Sequence, residues 1–148
     1  MSLDIISVAT AISNLTVTGL TIADMDEIPQ SLNERNTPLL IPDPVTPISG
    51  LNIIEWSQGA STMRRDAKYT LNYILIGYPV GQGRNAVIEG FQKTLLLVVA
   101  FCNALMAADS LGAAVEWEPT NPRRATNLTN GTTAFHAWNV GVTVTEIL

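Results

Sequence analysis

Two glycines near the middle of the chain have a spacing that could bind the phosphates of a nucleotide. The run Gly81-Gln-Gly-Arg-Asn-Ala86 fits the G-x-G-x-x-G/A pattern, with a strand-like segment before it and a helical segment after it. In a dinucleotide-binding turn, such glycines let the backbone approach the pyrophosphate at the start of the helix. The alternative is structural: Gly81 and Gly83 only turn one strand into one helix.

The sequence around the glycines favours the structural turn. Polar and apolar residues alternate along 67–78 and 134–148, which is typical of an antiparallel sheet with one wet face, whereas dinucleotide-binding strands are apolar on both faces. The helix predicted over 84–111 would be about 42 Å long, which is too long for a compact βαβ unit. Pro79 breaks the preceding strand, and the acidic residue expected about 20 positions further on is missing. We therefore predict no cofactor.

The other residues with catalytic chemistry are few and scattered. His136 is the only histidine and is predicted to be structural, near the start of a strand, while Cys102 falls within an apolar helical stripe and is predicted to be an inert thiol. No serine has a nucleophile-elbow setting, and no histidine pair offers metal-ligand spacing. The acidic cluster of Asp24, Asp26 and Glu27 is predicted to be solvated. We expect no enzyme activity, no catalytic residue and no metal site.

Composition indicates one domain over residues 1–148 that other molecules partly cover. Hydrophobic residues make up 47% of the chain and charged residues only 14%, against about 25% in an ordinary soluble domain. The net charge of −5 argues against an autonomous nucleic-acid binder. We expect an intracellularly made soluble protein, because the start of the chain has no basic segment and the apolar stretch 95–108 is too short to span a bilayer.

The pattern of the chain predicts an α+β fold: a mainly antiparallel sheet packed against one long helix and an N-terminal helix, with a long proline-rich excursion. Helices are predicted over 2–15 and 84–111, and strands over 16–23, 51–57, 67–78, 113–118 and 134–148. Polar turns are predicted at 59–66 and over the turn-rich loop 119–133.

The long helix has apolar residues around much of its circumference. A wide stripe is predicted to lie across the sheet: Val87, Ile88, Phe91, Leu95, Val98, Val99, Cys102, Leu105 and Met106. A second stripe of mostly small residues either packs on the N-terminal helix or forms a subunit contact: Lys93, Leu97, Ala100, Asn103, Ala104 and Ala107.

The proline-rich segment 24–50 is predicted to be an arm or loop that docks on a neighbouring subunit. It holds five of the eight prolines, a density that we take to exclude a central strand because proline lacks the N–H donor. Proline-stiffened arms lose little entropy on docking. The apolar residues expected to cover a partner are Leu39, Leu40, Ile41 and Ile48.

Two arginine pairs mark the polar turns. Arg64 and Arg65 lie in the first, and Arg123 and Arg124 in the second. They are either solvated loop residues or candidate contacts to an acidic neighbour, and these two interpretations stay open.

The whole pattern resembles a tail terminator of long-tailed bacteriophages. The resemblance rests on the N-terminal helix, the long helix, and the segments "DEIPQSLNERNTPLLIPDP", "KYTLNYILIGYPV" and "WNVGVTVTEIL". It implies a structural virion protein of the phage neck, made in the host cytoplasm, which assembles into a ring of six copies around the DNA channel. Its expected partners are itself, the tail tube protein and the head–tail connector, with DNA passing without specific contact.

Two other interpretations remain open from the sequence. The chain could be a related virion part, such as another head–tail connector, a tail completion protein or a tube subunit. It could also be a small-molecule-binding α+β domain that uses the turn at Gly81 and Gly83, although this gives no reason for the proline-rich segment.

Overall fold

A computed structural model describes residues 3–24, 38–58, 62–80, 84–125, 128–130 and 133–148. The elements, in chain order, are α1 (Ile5–Ser13), β1 (Thr21–Ile22), β2 (Leu39–Pro42), β3 (Ile48–Gln58), β4 (Thr62–Pro79), α2 (Arg84–Ala107), β5 (Ala114–Arg124), β6 (Leu128–Asn130) and β7 (Thr133–Ile147). The predicted α+β class, with a mainly antiparallel sheet and two helices, is confirmed.

The long strands β4 and β7 form the centre of one sheet. They pair antiparallel from Asp66 opposite Ile147 to Pro79 opposite Phe135. On one side β5 pairs with β7, and on the other side β2 and β3 pair with successive parts of β4. Strand β1 adds to β2 as the only parallel pair among the described strands.

Both helices cover the same face of the sheet, because alternate residues of β4 and β7 are apolar and point to that side. Each fully buried large side chain contributes roughly 1.5–3 kcal/mol to folding. The fully or almost fully buried residues of this core include Val8 and Ile12 of α1, Tyr69, Leu71, Tyr73 and Leu75 of β4, Val98, Phe101 and Leu105 of α2, and Val140, Val142 and Val144 of β7.

A close approach between α2 and β4 sets which side of the helix faces the sheet. Gly77 has no side chain, and a Cβ atom there would lie 2.3 Å from Oγ1 of Thr94. That hydroxyl donates to the carbonyl of Gly90 at 2.8 Å and accepts from the N–H of Tyr78 at 3.1 Å. The buried Thr94 therefore ties the helix to the strand at a point where only glycine fits.

The residues of α2 that face the sheet differ from the predicted wide stripe. Leu97, assigned to the small stripe, is buried, whereas Ile88, Val99 and Met106 are exposed by 44%, 48% and 61%. The prediction was wrong because apolar residues nearly surround this helix, so their periodicity does not single out one side. The close approach of Thr94 to Gly77 is what identifies the side of α2 that faces the sheet.

The segment between α1 and β1 is a turn rather than the predicted strand over 16–23. Gly19 has a φ of 81°, a left-handed conformation that glycine adopts without strain. The N–H of Leu20 donates to the carbonyl of Val17 at 3.1 Å. Only Thr21 and Ile22 pair as a strand, because the β-branched residues before them lie in this turn.

The proline-rich segment contributes a strand to the interior of the sheet, so the prediction that it cannot do so is wrong. Strand β2 lies between β1 and β4. Pro38 and Pro42 stand just before and at the end of this strand, so Leu39, Leu40 and Ile41 keep their N–H donors for the ladder. The number of prolines alone does not predict this strand, because the position of each proline within the strand decides whether an N–H donor of the ladder is lost.

The two predicted polar turns are shorter than expected. Strand β4 begins at Thr62, and β5 continues to Arg124 through Pro119 and Pro122. An edge strand tolerates proline because only one of its sides pairs with a neighbour. Helix α2 ends at Ala107, and Gly112, with a φ of 57°, lies in the turn that follows. Gly81 and Gly83 lie outside the described residues.

Candidate interaction surfaces

The apolar residues expected to dock on a partner belong to the chain's own core. Leu39, Leu40 and Ile41 are exposed by only 3%, 0% and 8%. Ile48 is partly buried and packs against the core. The expectation that these side chains cover a neighbouring subunit is therefore corrected: Leu40 packs in the core under the helices, and Leu39 and Ile41 pack in a second buried cluster with Ala23, Ile76 and Phe135.

The two arginine pairs lie on strands at opposite ends of the sheet. Arg65 is opposite Glu55 where β4 extends beyond the end of β7, whereas Arg124 is opposite Trp138 near the start of β7. Nine residues of β7 separate these ends, about 30 Å at the usual rise per residue. The side chain of Arg64 is outside the described part, and that of Arg123 is exposed opposite Asn139. The pairs do not form one cationic site.

Arg124 packs on a buried cluster at the sheet-facing side of α2. Its guanidinium lies 5.0 Å from the centre of the Phe91 ring, and Nη2 is 3.3 Å from Nδ1 of His136. The His136 ring is fully buried and meets Phe91 edge-on, with the ring centres 6.0 Å apart. Gly90 lies above it, where a Cβ atom would be 3.3 Å from the ring.

The environment of His136 keeps the imidazole neutral. Burial lowers its pKa most, the charge of Arg124 lowers it further, and a hydrogen bond to the backbone of Val87 opposes these effects only in part. Arg124 donates to Nδ1, so the proton of the neutral ring is on Nε2. The enclosed imidazole therefore packs between the sheet and α2, and it does not reach an open surface.

Cys102 is half-buried on α2, and burial raises the pKa of its thiol. The thiol form is a weak nucleophile and a poor metal ligand. No group of three histidine, cysteine or acidic residues within the described ranges could hold a metal ion.

A buried carboxylate, which the sequence reasoning missed, joins the two ends of the chain. Glu146 is 2% exposed. It accepts from the hydroxyl of Tyr69 at 2.6 Å and from the N–H of Asp4 at 2.9 Å. Burial and this carboxylate raise the pKa of Tyr69, so the hydroxyl stays a donor. The alternation of β7 was the available signal, because it places Glu146 on the same face as Val142 and Val144.

The face of the sheet opposite the helices is polar along β5 and the adjoining parts of β4 and β7, whereas near β2 the same face carries a second buried apolar cluster of Ala23, Leu39, Ile41, Ile76 and Phe135. Across three neighbouring strands, Thr70 pairs with Thr143, and Thr143 with Glu118. The three hydroxyls of this region bond to one another: Thr70 to Thr143 at 3.2 Å, and Thr120 to Thr143. A shallow groove of about 460 Å³ lies on this face, lined by Asp43, Thr46, Ser49, Asn72, Arg123 and Asn139 among others.

The sheet is open along both sides. Strand β3 pairs only with β4, and β5 only with β7, within the described part of the chain. Such edges present unpaired N–H and C=O groups that can pair with another chain. β5 carries Pro119, Pro122 and four charged residues, whereas β3 has no proline, and its Leu51 and Ile53 are exposed by 54% and 55%.

The outer side of α2 is the other unpartnered apolar surface. Leu96, the most exposed of its apolar residues, is 67% accessible. Residues Val87–Ala107 are long and apolar enough to cross a membrane by length and composition alone, but a third of this window is buried within the fold. The inner side packs on β4, β5 and β7 and is closed at its end by Trp117, whose Nε1 donates to the carbonyl of Leu105 at 2.8 Å.

Comparisons with known proteins give no family for the chain. No protein-family model matches it, and no curated protein matches it.

Proposed function

We propose that this protein is a tail terminator of a long-tailed bacteriophage, a neck protein whose ring caps the tail tube and joins it to the head connector. The observation that carries the proposal is the sheet: one continuous layer, open at β3 and at β5, with helices on one face and, along β5 and the adjoining parts of β4 and β7, polar side chains on the other. This arrangement suits a wall segment, which needs a neighbour on each side and two different surfaces.

The two open edges suit a ring. Edges on opposite sides of one subunit allow a head-to-tail contact, and such a contact closes into a ring when the rotation between neighbours permits. In this proposal β3 supplies a strand for this contact, and the resemblance in sequence implies six copies. Both the ring and its size belong to the proposal.

The polar face suits the lining of a DNA channel. Its charged residues include Glu116, Glu118 and Arg123 on β5, Lys68 on β4 and Asp43 after β2, set among threonine hydroxyls. This face carries both signs of charge with more acidic than basic residues, so it offers no basic patch that would bind DNA. A duplex would therefore slide past such a surface, as a neck requires.

Light scattering and electron microscopy of the purified protein, with and without isolated tail tubes, test the proposal. A terminator binds only at tube ends, in the copy number of one ring, and does not lengthen the tube. Filaments of the protein alone would instead identify a tube subunit. A protein that ignores tube ends would overturn the proposal.

A further inference from the structure

The groove on the polar face of the sheet has a wall on each of two sides. On one side, residues 43–47 stand opposite Asn72 alone, so the connection between β2 and β3 bulges from the edge of β4. On the other side lies β5, at Thr120 and Arg123. Between the walls, Gly141 of β7 is opposite Asn72 of β4. The lack of a side chain at Gly141 makes the floor of the groove lowest at this point.

The first wall carries a negative charge in a fixed position. Oδ1 of Asp43 accepts from the N–H of Val45 at 2.9 Å and from the N–H of Thr46 at 3.3 Å. Nδ2 of Asn72 donates to the carbonyl of Thr46 at 3.0 Å, which ties the connection to the floor. Oδ2 of Asp43 has no hydrogen-bond partner among the described residues. The carboxylate therefore keeps one oxygen for a ligand.

The opposite wall carries a positive charge. Arg123 is exposed, and it is directly opposite Asn139 of β7. Neither side chain has a hydrogen-bond or ion-pair partner within the described part of the chain. A guanidinium and a carboxamide side by side offer several N–H donors to one carboxylate. This end of the groove suits an anionic group, whereas the end at Asp43 suits a cationic one.

We propose that the groove binds a short extended peptide, with its C-terminal carboxylate at Arg123 and Asn139 and its N-terminal ammonium at Asp43. Charge complementarity selects a ligand with opposite charges at its two ends, because a dianion would meet Asp43 and a dication would meet Arg123. The two walls are separated by three strand spacings, about 14 Å between main chains. A tripeptide about 10 Å long fits this gap when charged side chains reach in from both walls.

The groups between the two ends are those that pair with peptide bonds. Asn72 and Asn139 carry carboxamides, whose donors and acceptors match those of a peptide unit. The side chains of the buried Tyr73 and Val140 point into the core, so only their main chain lines the floor. The side chains that face the groove are all polar: Asp43, Thr46, Ser49, Thr70, Asn72, Thr120, Arg123 and Asn139. A peptide of small residues such as glycine therefore fits better than one with large apolar side chains.

This site goes beyond the neck function. The groove lies within one subunit and uses neither the β3 edge nor the β5 edge. It is therefore tested on the purified protein without tail tubes, and its failure leaves the tail-terminator proposal standing.

Nuclear magnetic resonance of the isotope-labelled protein, titrated with triglycine, tests the site. The main-chain amide signals of Asn72, Asn139 and Gly141 are expected to shift in a saturable way, and added salt is expected to weaken the binding. N-acetyl-triglycine lacks the ammonium and triglycine amide lacks the carboxylate. Each is expected to bind about fivefold more weakly than triglycine, the usual contribution of one exposed ion pair.

Two variants assign the two ends. Asp43→Asn keeps an acceptor for the N–H of Val45 and removes the charge, so it is expected to bind triglycine and N-acetyl-triglycine equally. Arg123→Gln is expected to bind triglycine and triglycine amide equally. Lys68→Gln, on the same face but outside the groove, is expected to keep both preferences of the wild type.

Three outcomes would overturn the proposal. The first is the absence of any shift with triglycine. The second is equal binding of all three peptides to the wild type, or preferences that persist in Asp43→Asn and Arg123→Gln. The third is a preference for the carboxylate without one for the ammonium, which would identify a site for anions only.

Discussion

His136 gives the protein a dependence on pH that can be assigned to one residue. It is the only histidine in the chain, so no other side chain has an ordinary pKa near 6.5. Burial and Arg124 lower its pKa in the folded state. The unfolded state therefore takes up a proton first as the pH falls, and the folded state loses stability below about pH 6.5.

We expect the free energy of unfolding to fall between pH 7.5 and pH 5.5, because over this interval the unfolded chain binds a proton at His136 more readily than the folded chain does. Urea denaturation at the two pH values measures it. The variant His136→Asn keeps an acceptor for Arg124 without a titrating group, so its unfolding free energy should change less over the same interval. An equal change in the variant would show that His136 is not the source.

His136 also shows which features of a single side chain could be predicted from the sequence. The alternation of β7 places His136 on the face of Trp138 and Val140, and the structural role expected for it agrees with its packing against Phe91. The contact with Arg124 was not predictable, because the sequence indicated a loop at 119–133 and the arginine lies on a strand. Side-chain partners follow from register, which a single sequence does not fix.

At the scale of elements, β2 turns the proline-rich segment from an arm into part of the fold. Leu40 is fully buried opposite Leu75 of β4, and its main-chain carbonyl accepts from the N–H of Ala23 at 2.9 Å. Deletion of residues 36–48, which the sequence alone suggests the core fold would survive, removes this strand. We now expect that deletion to unfold the domain.

The variant Leu40→Ala tests the role of β2 more gently. Deleting a fully buried leucine side chain costs roughly 2–5 kcal/mol of unfolding free energy, depending on how far the cavity collapses. Val45→Ala, in the same segment but 87% exposed, should change it by less than about 0.5 kcal/mol. Chemical denaturation of both variants gives the comparison. Similar small effects would mean that β2 is not part of the stable core.

The long elements were predictable and the short ones were not. The alternation in β4 and β7 and the apolar run of α2 extend over many residues, so their type was clear from the sequence. Strands β1 and β6 have two and three residues, and they exist only because a neighbouring strand offers a pairing edge. The rotation of α2 depended on Gly77 meeting Thr94, a contact between distant segments.

At the scale of the whole molecule, the polar and apolar surfaces are the reverse of those expected when helices cover one face of a sheet. The outer side of the main helix is apolar, with Leu96 exposed by 67%, whereas the opposite sheet face is polar along β5 and the adjoining parts of β4 and β7. Only 14% of residues are charged. On the outer side of α2 this low charge is evident, since Glu89 and Lys93 are the only charged residues between 88 and 106.

The proposed ring makes a specific demand on the β3 edge. Ile53 is 55% exposed on this strand, opposite the buried Ala67 of β4. Lysine on an edge strand opposes the addition of another strand, because its charge would have to be desolvated. The variant Ile53→Lys is therefore expected to keep the fold, with an unfolding free energy within about 1 kcal/mol of the wild type, and to lose ring formation at tail-tube ends.

Electron microscopy of tail tubes incubated with the variant measures this loss directly, as the fraction of tube ends that carry a cap. Val45→Lys adds the same charge at a position 87% exposed, in the connection between β2 and β3 and off the β3 edge, and should cap tubes like the wild type. If Ile53→Lys caps as well as Val45→Lys does, strand addition at β3 does not close the ring. The subunits would then have to meet through another surface, since a buried lysine without a partner is too costly to be accommodated at a paired edge.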